Sequence, residues 1–404
     1  MKTSNSYAVR AVKWGATLLS ALLLSACMES APVKPAPPPP PEPEKPAYFK
    51  EISPAAAHLA QTLAKKMAGN TSLVNPQLVV DEFFNEKTAE VSAAGRTLQG
   101  LLIESVNKVA PAWAVSPLGG KALQKAQWAV MGTVNLVPGK EGSNEKWVSI
   151  KAVINDIRSG KALTQAEVFV DAARFSAEPT RFYKDAPMYL PAARLAEKRA
   201  NMGDMAPGAL AEKLKTEALL ADARNAYENE DFSTAEKLFA EILQQGGEKN
   251  FSALSGLYQS QLRANRLKDA ENTFGLLVDS GLDAGSLSVK FLFKVRSTDF
   301  LESGDLAAQY PIWVRQIALK LRDRKQCLNV NGHASRSGSD EFNNRLSLQR
   351  ATRIAAMLKK TAPPLASRLK AFGKGYSENI VGSGTDDALD AIDRRVEFAI
   401  AECA

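Results

Sequence analysis

Apolar positions along this chain recur at two periods, and the switches between them mark its elements. Between residues 55 and 67 they fall at helical spacing (Leu59, Leu63, Met67), which gathers them on one stripe of a helix. Residues 78–84 read as a strand. Leu98, Leu101, Leu102, Val106 and Val109 form a second helical stripe within GRTLQGLLIESVNKVA. Two strand-like runs follow, WAVMGTVNLV and WVSIKAVINDIRSG, separated by a polar, glycine-containing turn, and KALTQAEVFV adds a last strand. Helix, strand, helix and a series of strands over 51–171 predict an α+β layer.

Periodicity fades over 172–210, where EPTRFYKDAPMYLP carries three prolines; this stretch is expected to be an extended connection packed on a neighbour, with a partner-binding strap as the sharper alternative. An internal repeat then covers 211–282. ARNAYENEDFSTAEKLFAEIL and YQSQLRANRLKDAENTFGLLV align at an offset of 35 residues, pairing Leu219 with Leu254, Tyr227 with Leu262, Phe232 with Leu267, Ala235 with Ala270 and Phe239 with Phe274. Small alanines beside large residues let two helices approach closely. The repeat resembles tetratricopeptide helix pairs. Two pairs are fewer than a self-standing array uses, so neighbouring layers are expected to cap them; a spacer and a partner groove both stay open. From 286 to 404 strands and helices alternate: the strand SLSVKFLF, a helix over 306–321, a strand over 327–333, a helix from Asp340, a short strand near 369–372 and a last strand from Arg395. That order predicts a two-layer α/β sandwich, and the fold class of the whole is multidomain α+β.

The N-terminus changes the picture. A basic start precedes an apolar run from Trp14 to Ala26, too short to span a bilayer as a mature helix. It ends in Leu24-Ser25-Ala26-Cys27, which resembles the bacterial lipobox, so 1–26 is read as a lipoprotein signal peptide and Cys27 as the acylated first residue. Several acyl chains, such as palmitate, at about 0.8 kcal/mol per buried CH₂ make a stable anchor. Met28 is not aspartate, the residue that in many such lipoproteins signals inner-membrane retention, so the outer membrane, facing the periplasm, is the expected location. The rest of 27–50 is a linker dominated by APVKPAPPPPPEPEKP, which favours polyproline II and reaches about 50 Å; it is read as a spacer, with a ligand for a proline-reading domain as the alternative. The net charge is +7, of which Lys2, Arg10 and Lys13 lie in the leader; subtracting them leaves +4, too little to argue for nucleic acid. Beyond Cys27 the cysteines are Cys327 and Cys403. An oxidising compartment and an even count allow a disulfide; both residues are placed in strands and point off the core face, and a bridge and two free thiols both stay open.

Two family resemblances follow. The order over 51–171, with VMGTV and INDIRSGKALTQAEVFV, resembles the periplasmic domain of FlgO-type and LpoB-type outer-membrane lipoproteins, which implies a protein-binding module. More specifically, GHASRSGSDEFNNRLSLQRATRIAAML, GKGYSEN and DRRVEFAI resemble the OmpA C-terminal domain of outer-membrane proteins and peptidoglycan-associated lipoproteins. Gly332, His333, Gly338, Asn343, Leu346, Ser347, Arg350, Ala351, Arg394, Arg395, Val396 and Glu397 match its pattern in order and spacing. The resemblance implies a pocket for the diaminopimelate residue of the peptidoglycan stem peptide, built from Arg350, Ser335, Asn343, Arg394 and Arg395. Diaminopimelate offers a carboxylate beside an ammonium. A guanidinium takes a carboxylate in a planar fork, the role the match gives Arg350, against the bland reading of a solvated helix arginine. The ammonium needs an acid, which the family supplies where this chain has Ser335; a second position often acidic in the family aligns with Lys294. Hydrogen bonds to charged groups contribute about 1.5–3 kcal/mol against about 1 for neutral ones, so a serine there predicts a tenfold or larger loss, unless Asp340, Asp386 or Asp387 restores the charge.

Other chemistry is not signalled. There is no phosphate-cradling glycine loop, no helix-borne histidine pair for zinc and no G-x-S-x-G elbow. His333 reads as a structural strand-end residue and His58 as a lone helix histidine, so no metal, no cofactor and no enzymatic activity are expected. The expectation is an outer-membrane lipoprotein tethering the membrane to peptidoglycan and scaffolding a periplasmic protein partner. The alternative is a degenerate pocket in an assembly component of a secretion, flagellar or other envelope complex.

Overall fold

After the short strand β1 (Ala47–Phe49), helix α1 (Ile52–Met67) turns Ala55, Ala56, Leu59, Ala60, Leu63 and Met67 to one buried side. The computed structural model describes residues 46–68, 75–139, 145–200, 202–246, 249–301, 306–380, 384, 386 and 389–403. The segment read as a signal peptide, Cys27, Met28, nearly all of the proline run and Asp387 lie outside the described residues. Among the described residues no helix is long and apolar enough to cross a membrane.

The first layer continues with β2 (Gln77–Val80), β3 (Phe84–Asn85), α2 (Ala93–Val109), β4 (Ala114–Pro117), α3 (Gly120–Leu123), β5 (Trp128–Pro138), β6 (Lys146–Asp156) and β7 (Ala162–Asp171). Its sheet runs β1-β7-β6-β5-β2-β4, with β3 also on β5. The pairs β5/β6 and β6/β7 are antiparallel, and the β1/β7, β2/β5 and β2/β4 pairs are parallel. Helices α1 and α2 cover one face through Leu59, Leu63, Leu98 and Leu102 against Val80, Val130, Ile150 and Val168. Strand β1, the edge of the sheet, carries no apolar run long enough to announce itself. The strand expected over 78–84 is broken at 81–83, where the Asp81 carboxylate accepts the Glu82 N–H at 2.8 Å. Val109, expected inward, is exposed at the end of α2.

The stretch 172–210, expected to run extended, holds α4 (Arg181–Asp185), β8 (Met188–Tyr189) and α5 (Ala192–Ala200). Four helices follow: α6 (Ala209–Glu228), α7 (Phe232–Gln244), α8 (Phe251–Arg263) and α9 (Leu267–Asp283), each packed on the next. Ala235, Ala270, Phe239 and Phe274 are all fully buried, but Leu267 is 55% exposed. Its repeat mate Phe232 instead packs on Tyr227, with ring centroids 5.0 Å apart.

The last layer comprises β9 (Ser286–Val289), α10 (Tyr310–Arg322), β10 (Cys327–Gly332), α11 (Asp340–Thr361), β11 (Leu369–Gly373) and β12 (Val396–Ala401), with sheet order β11-β10-β12-β9-β8. Strand β8, from the connection, thus joins this sheet. The expected strand SLSVKFLF stops at Val289, because the buried Lys290 turns its ammonium to Glu90 (3.0 Å) and to the Tyr183 carbonyl. The expected helix 306–321 begins instead with a 3-10 turn at Ala307–Gln309. Cys327 is disulfide-bonded to Cys403, with Cα atoms 5.2 Å apart; Cys403 lies beyond the end of β12 rather than within a strand. Helices α8 and α9 share one apolar core with this layer, in which Phe274 stacks on Trp313 and the Trp313 indole N–H donates to Tyr258 Oη at 2.8 Å.

Candidate functional site

The site grows from the end of β10. At Gly332 an added Cβ would collide with the Ser347 carbonyl of α11, so only glycine lets strand and helix approach this closely. The chain then leaves the sheet: the His333 N–H donates to the Arg395 carbonyl and the Ala334 N–H to that of Gly375. Gly338 takes the left-handed conformation (φ 93°), and Ser339 caps α11 by accepting the Phe342 N–H. Asn343 donates through Nδ2 to the Ser337 carbonyl at 3.0 Å and is buried. Its place is inside the turn that presents Ser335 and Ser337, and it holds that turn.

Arg350 projects from α11 into the interior and is 0% exposed. Nε donates to the Ser297 carbonyl (3.0 Å), Nη1 to that of His333 (2.9 Å) and Nη2 to that of Lys294 (3.0 Å). The Phe293 ring lies 5.2 Å from the guanidinium carbon. Burial, and then the Arg394 charge, pull its pKa down to about 9, with Asp386 opposing. Arg350 is therefore not a solvated helix arginine, and three of the donors expected to take a ligand's carboxylate are filled by backbone carbonyls. Lys294 enters the site through its backbone carbonyl, one of those three.

Two further arginines close the floor. Arg394 is also buried; Nε donates to the Phe293 carbonyl at 3.2 Å, and Nη1 sits 3.5 Å from Asp386 Oδ1 with no hydrogen-bond partner among the described residues. Arg395 pairs with Glu397 at 3.0 Å. Glu397 also lies 3.5 Å from His333 Nε2. Burial raises the Glu397 pKa, but His333 and Arg395 outweigh it and hold the carboxyl well below the usual range. Burial lowers the His333 pKa, which keeps the imidazole neutral near pH 7. Among the described residues no group of three or more His, Cys, Asp and Glu side chains could hold a metal. His58 is exposed, its ring 5.3 Å from that of Phe49.

The acid absent from position 335 arrives from another element. Asp386 accepts hydrogen bonds from both the Ser335 and the Ser337 hydroxyls. Its own N–H donates to Asp390 Oδ2 at 2.9 Å, and its backbone is left-handed (φ 57°), a conformation aspartate tolerates better than most residues. Asp340 is engaged elsewhere, accepting from the Tyr376 hydroxyl. The structure therefore brings Ser335, Arg350, Arg394 and Asp386 together, with Asn343 and Arg395 as supports. Sequence reasoning missed Ser337 and the carbonyls around Arg350. The Ser-x-Ser spacing was the only available signal for the first, and backbone carbonyls leave none.

The buried arginines, the turn after β10 and the helix bearing Asn343 and Arg350 now stand in one order and one place. Residues 302–391 match the OmpA family. The match takes in Ser335, Asn343, Arg350 and Asp386 and stops short of Arg394 and Arg395. Several solved structures resemble this OmpA-like domain. The peptidoglycan-associated lipoprotein of Burkholderia pseudomallei is 22% identical over 30% of this chain and 95% of its own, with a TM-score of 0.24. The cell wall anchor of the T6SS from Pseudomonas aeruginosa is 25% identical over 29% and 81%, with a TM-score of 0.23. The periplasmic domain of Helicobacter pylori MotB (residues 97–256) is 18% identical over 30% and 81%, also at 0.23. Comparison with curated proteins returned no match.

Proposed function

We propose that this chain is a non-enzymatic outer-membrane lipoprotein whose OmpA-like domain holds the peptidoglycan stem peptide. In this reading acyl chains on Cys27 anchor one end, the proline run spaces the folded part from the membrane, and the first layer and the four helices offer surfaces to a periplasmic protein partner. The observation that carries the proposal is the carboxylate of Asp386, held by Ser335 and Ser337 above two buried arginines. It supplies negative charge at the position where the sequence alone lacks it, so the serine at 335 need not mean a dead pocket.

A second reading keeps the architecture and drops the wall, leaving an assembly component of an envelope complex. The sealed guanidinium of Arg350 favours it. The two separate on one measurement. The full chain, without its lipid, is expected to sediment with isolated peptidoglycan and to be released by soluble stem peptide. A chain that stays in the supernatant at every protein concentration would leave the assembly reading in place.

A further inference from the structure

We infer that the cavity between the first layer and the OmpA-like layer binds a neutral acyl ester. The aliphatic chain lies along its walls, and the ester oxygens accept from the Tyr189 hydroxyl and the Lys290 ammonium. This site is independent of the wall-binding reading and goes beyond it.

The cavity has a volume of about 740 Å³, within the range of roughly 300–1,000 Å³ in which proteins hold small molecules. Val134, Leu136 and Val148 of the first layer line it, with Leu292 and Ile392 of the last. Leu136 pairs with Val148 across β5 and β6, yet it is left 40% exposed. A hydrocarbon chain in this space would take that apolar surface out of water, and aliphatic walls suit a flexible chain.

The polar groups in the lining are donors. Tyr189 also borders the cavity and is 9% exposed. Its hydroxyl has no hydrogen-bond partner among the described residues. Burial, and then the Glu90 charge, raise its pKa well above the usual range, so the phenol keeps its proton. A buried hydroxyl left without a partner is costly, and an acceptor that reaches it relieves the cost. Lys290 Nζ lies 4.4 Å from the centre of the Tyr189 ring. An ammonium has three donors, and two of them go to Glu90 and to the Tyr183 carbonyl. The third is unspent among the described residues.

Charge then selects among acceptors. Glu90, at 3.0 Å, already balances Lys290. A carboxylate would bring an uncompensated charge into an apolar space. An ester carbonyl brings lone pairs and no charge. An aliphatic chain ending in an ester is the chemistry of a membrane glycerolipid.

The test uses the full chain without its lipid, loaded with the apolar dye N-phenyl-1-naphthylamine. Methyl decanoate, decanoate and tridecane compete for the cavity at pH 7.5. The ester is expected to displace the dye at least about tenfold better than the carboxylate. Ala173→Trp, which puts an indole into the lining, should remove dye binding. Tyr189→Phe should weaken the ester about three- to tenfold and leave tridecane unchanged, a split that altered packing would not give. Because that hydroxyl bonds nothing in the free chain, Tyr189→Phe should keep the wild-type urea midpoint. Dye binding that survives Ala173→Trp, an ester indifferent to Tyr189→Phe, or decanoate as tight as its ester would each overturn the inference.

Discussion

Arg350 carries its charge where water does not reach it, and that decides how it can be probed. Three backbone carbonyls accept from its guanidinium. Each buried acceptor left without a donor costs roughly 1–3 kcal/mol, so Arg350→Ala is expected to lose at least about 3 kcal/mol of stability, read as a fall in the urea midpoint. Arg350→Lys should recover only part of it, since one ammonium cannot span three divergent carbonyls as a planar fork does. Loss of binding in an Arg350 variant would thus report the state of the fold before the state of the ligand site. Asp386, partly exposed and satisfied by hydroxyls, is the cleaner position to change. A variant Arg350→Ala with a wild-type urea midpoint would show that the carbonyls find other donors.

At the scale of elements, the junction between the first layer and the helices rests on charge. Asp81 and Glu82 leave β2 buried and meet Arg224 and Glu217 of α6 and Lys198 of α5. Arg224 Nε bonds Glu82 at 2.9 Å, and Lys198 lies 3.8 Å from Glu217. Burial, and then the Glu217 charge, push the Asp81 pKa up to about 6, with Lys198 and Arg224 opposing. The folded state therefore holds a proton that the unfolded state, with its ordinary value of 3.8, has already released. Between these values stability falls as pH rises, and above about 6 the loss is complete. Asp81→Asn keeps the Oδ1 acceptor for the Glu82 N–H and removes the ionisation. It is expected to gain up to about 3 kcal/mol over wild type at pH 7.5 and almost nothing at pH 4, measured by urea unfolding at the two pH values. An equal gain at both would mean that Asp81 titrates normally.

Across the whole molecule, the last two helices of the repeat and the OmpA-like layer share one core, and Lys290 ties that layer to Glu90 of the first. The Cys327–Cys403 bridge then closes a separation of 76 residues, joining the start of β10 to the chain beyond β12. A disulfide typically contributes roughly 2–4 kcal/mol. Reductant, or Cys403→Ser, is expected to lower the unfolding free energy by that amount, read as a fall in the urea midpoint. Because the helices share the core, the loss should be felt by the helical signal as well as by the last sheet; two separate transitions would show that the layers unfold independently.

How much of this was readable depended on range. Local period and composition by themselves determined the helices and long strands, the alternation behind the last sheet and the motif that marks the OmpA-like domain, because each of these is written within a few turns or one strand. Sequence could also show that position 335 lacks an acid. Only the tertiary structure decided what stands in its place, since Asp386 reaches Ser335 across 51 residues of chain. The same holds for the short strands β1 and β8, which exist by pairing with a distant neighbour, and for the charge of Arg350, which three carbonyls from two separate segments turn inward.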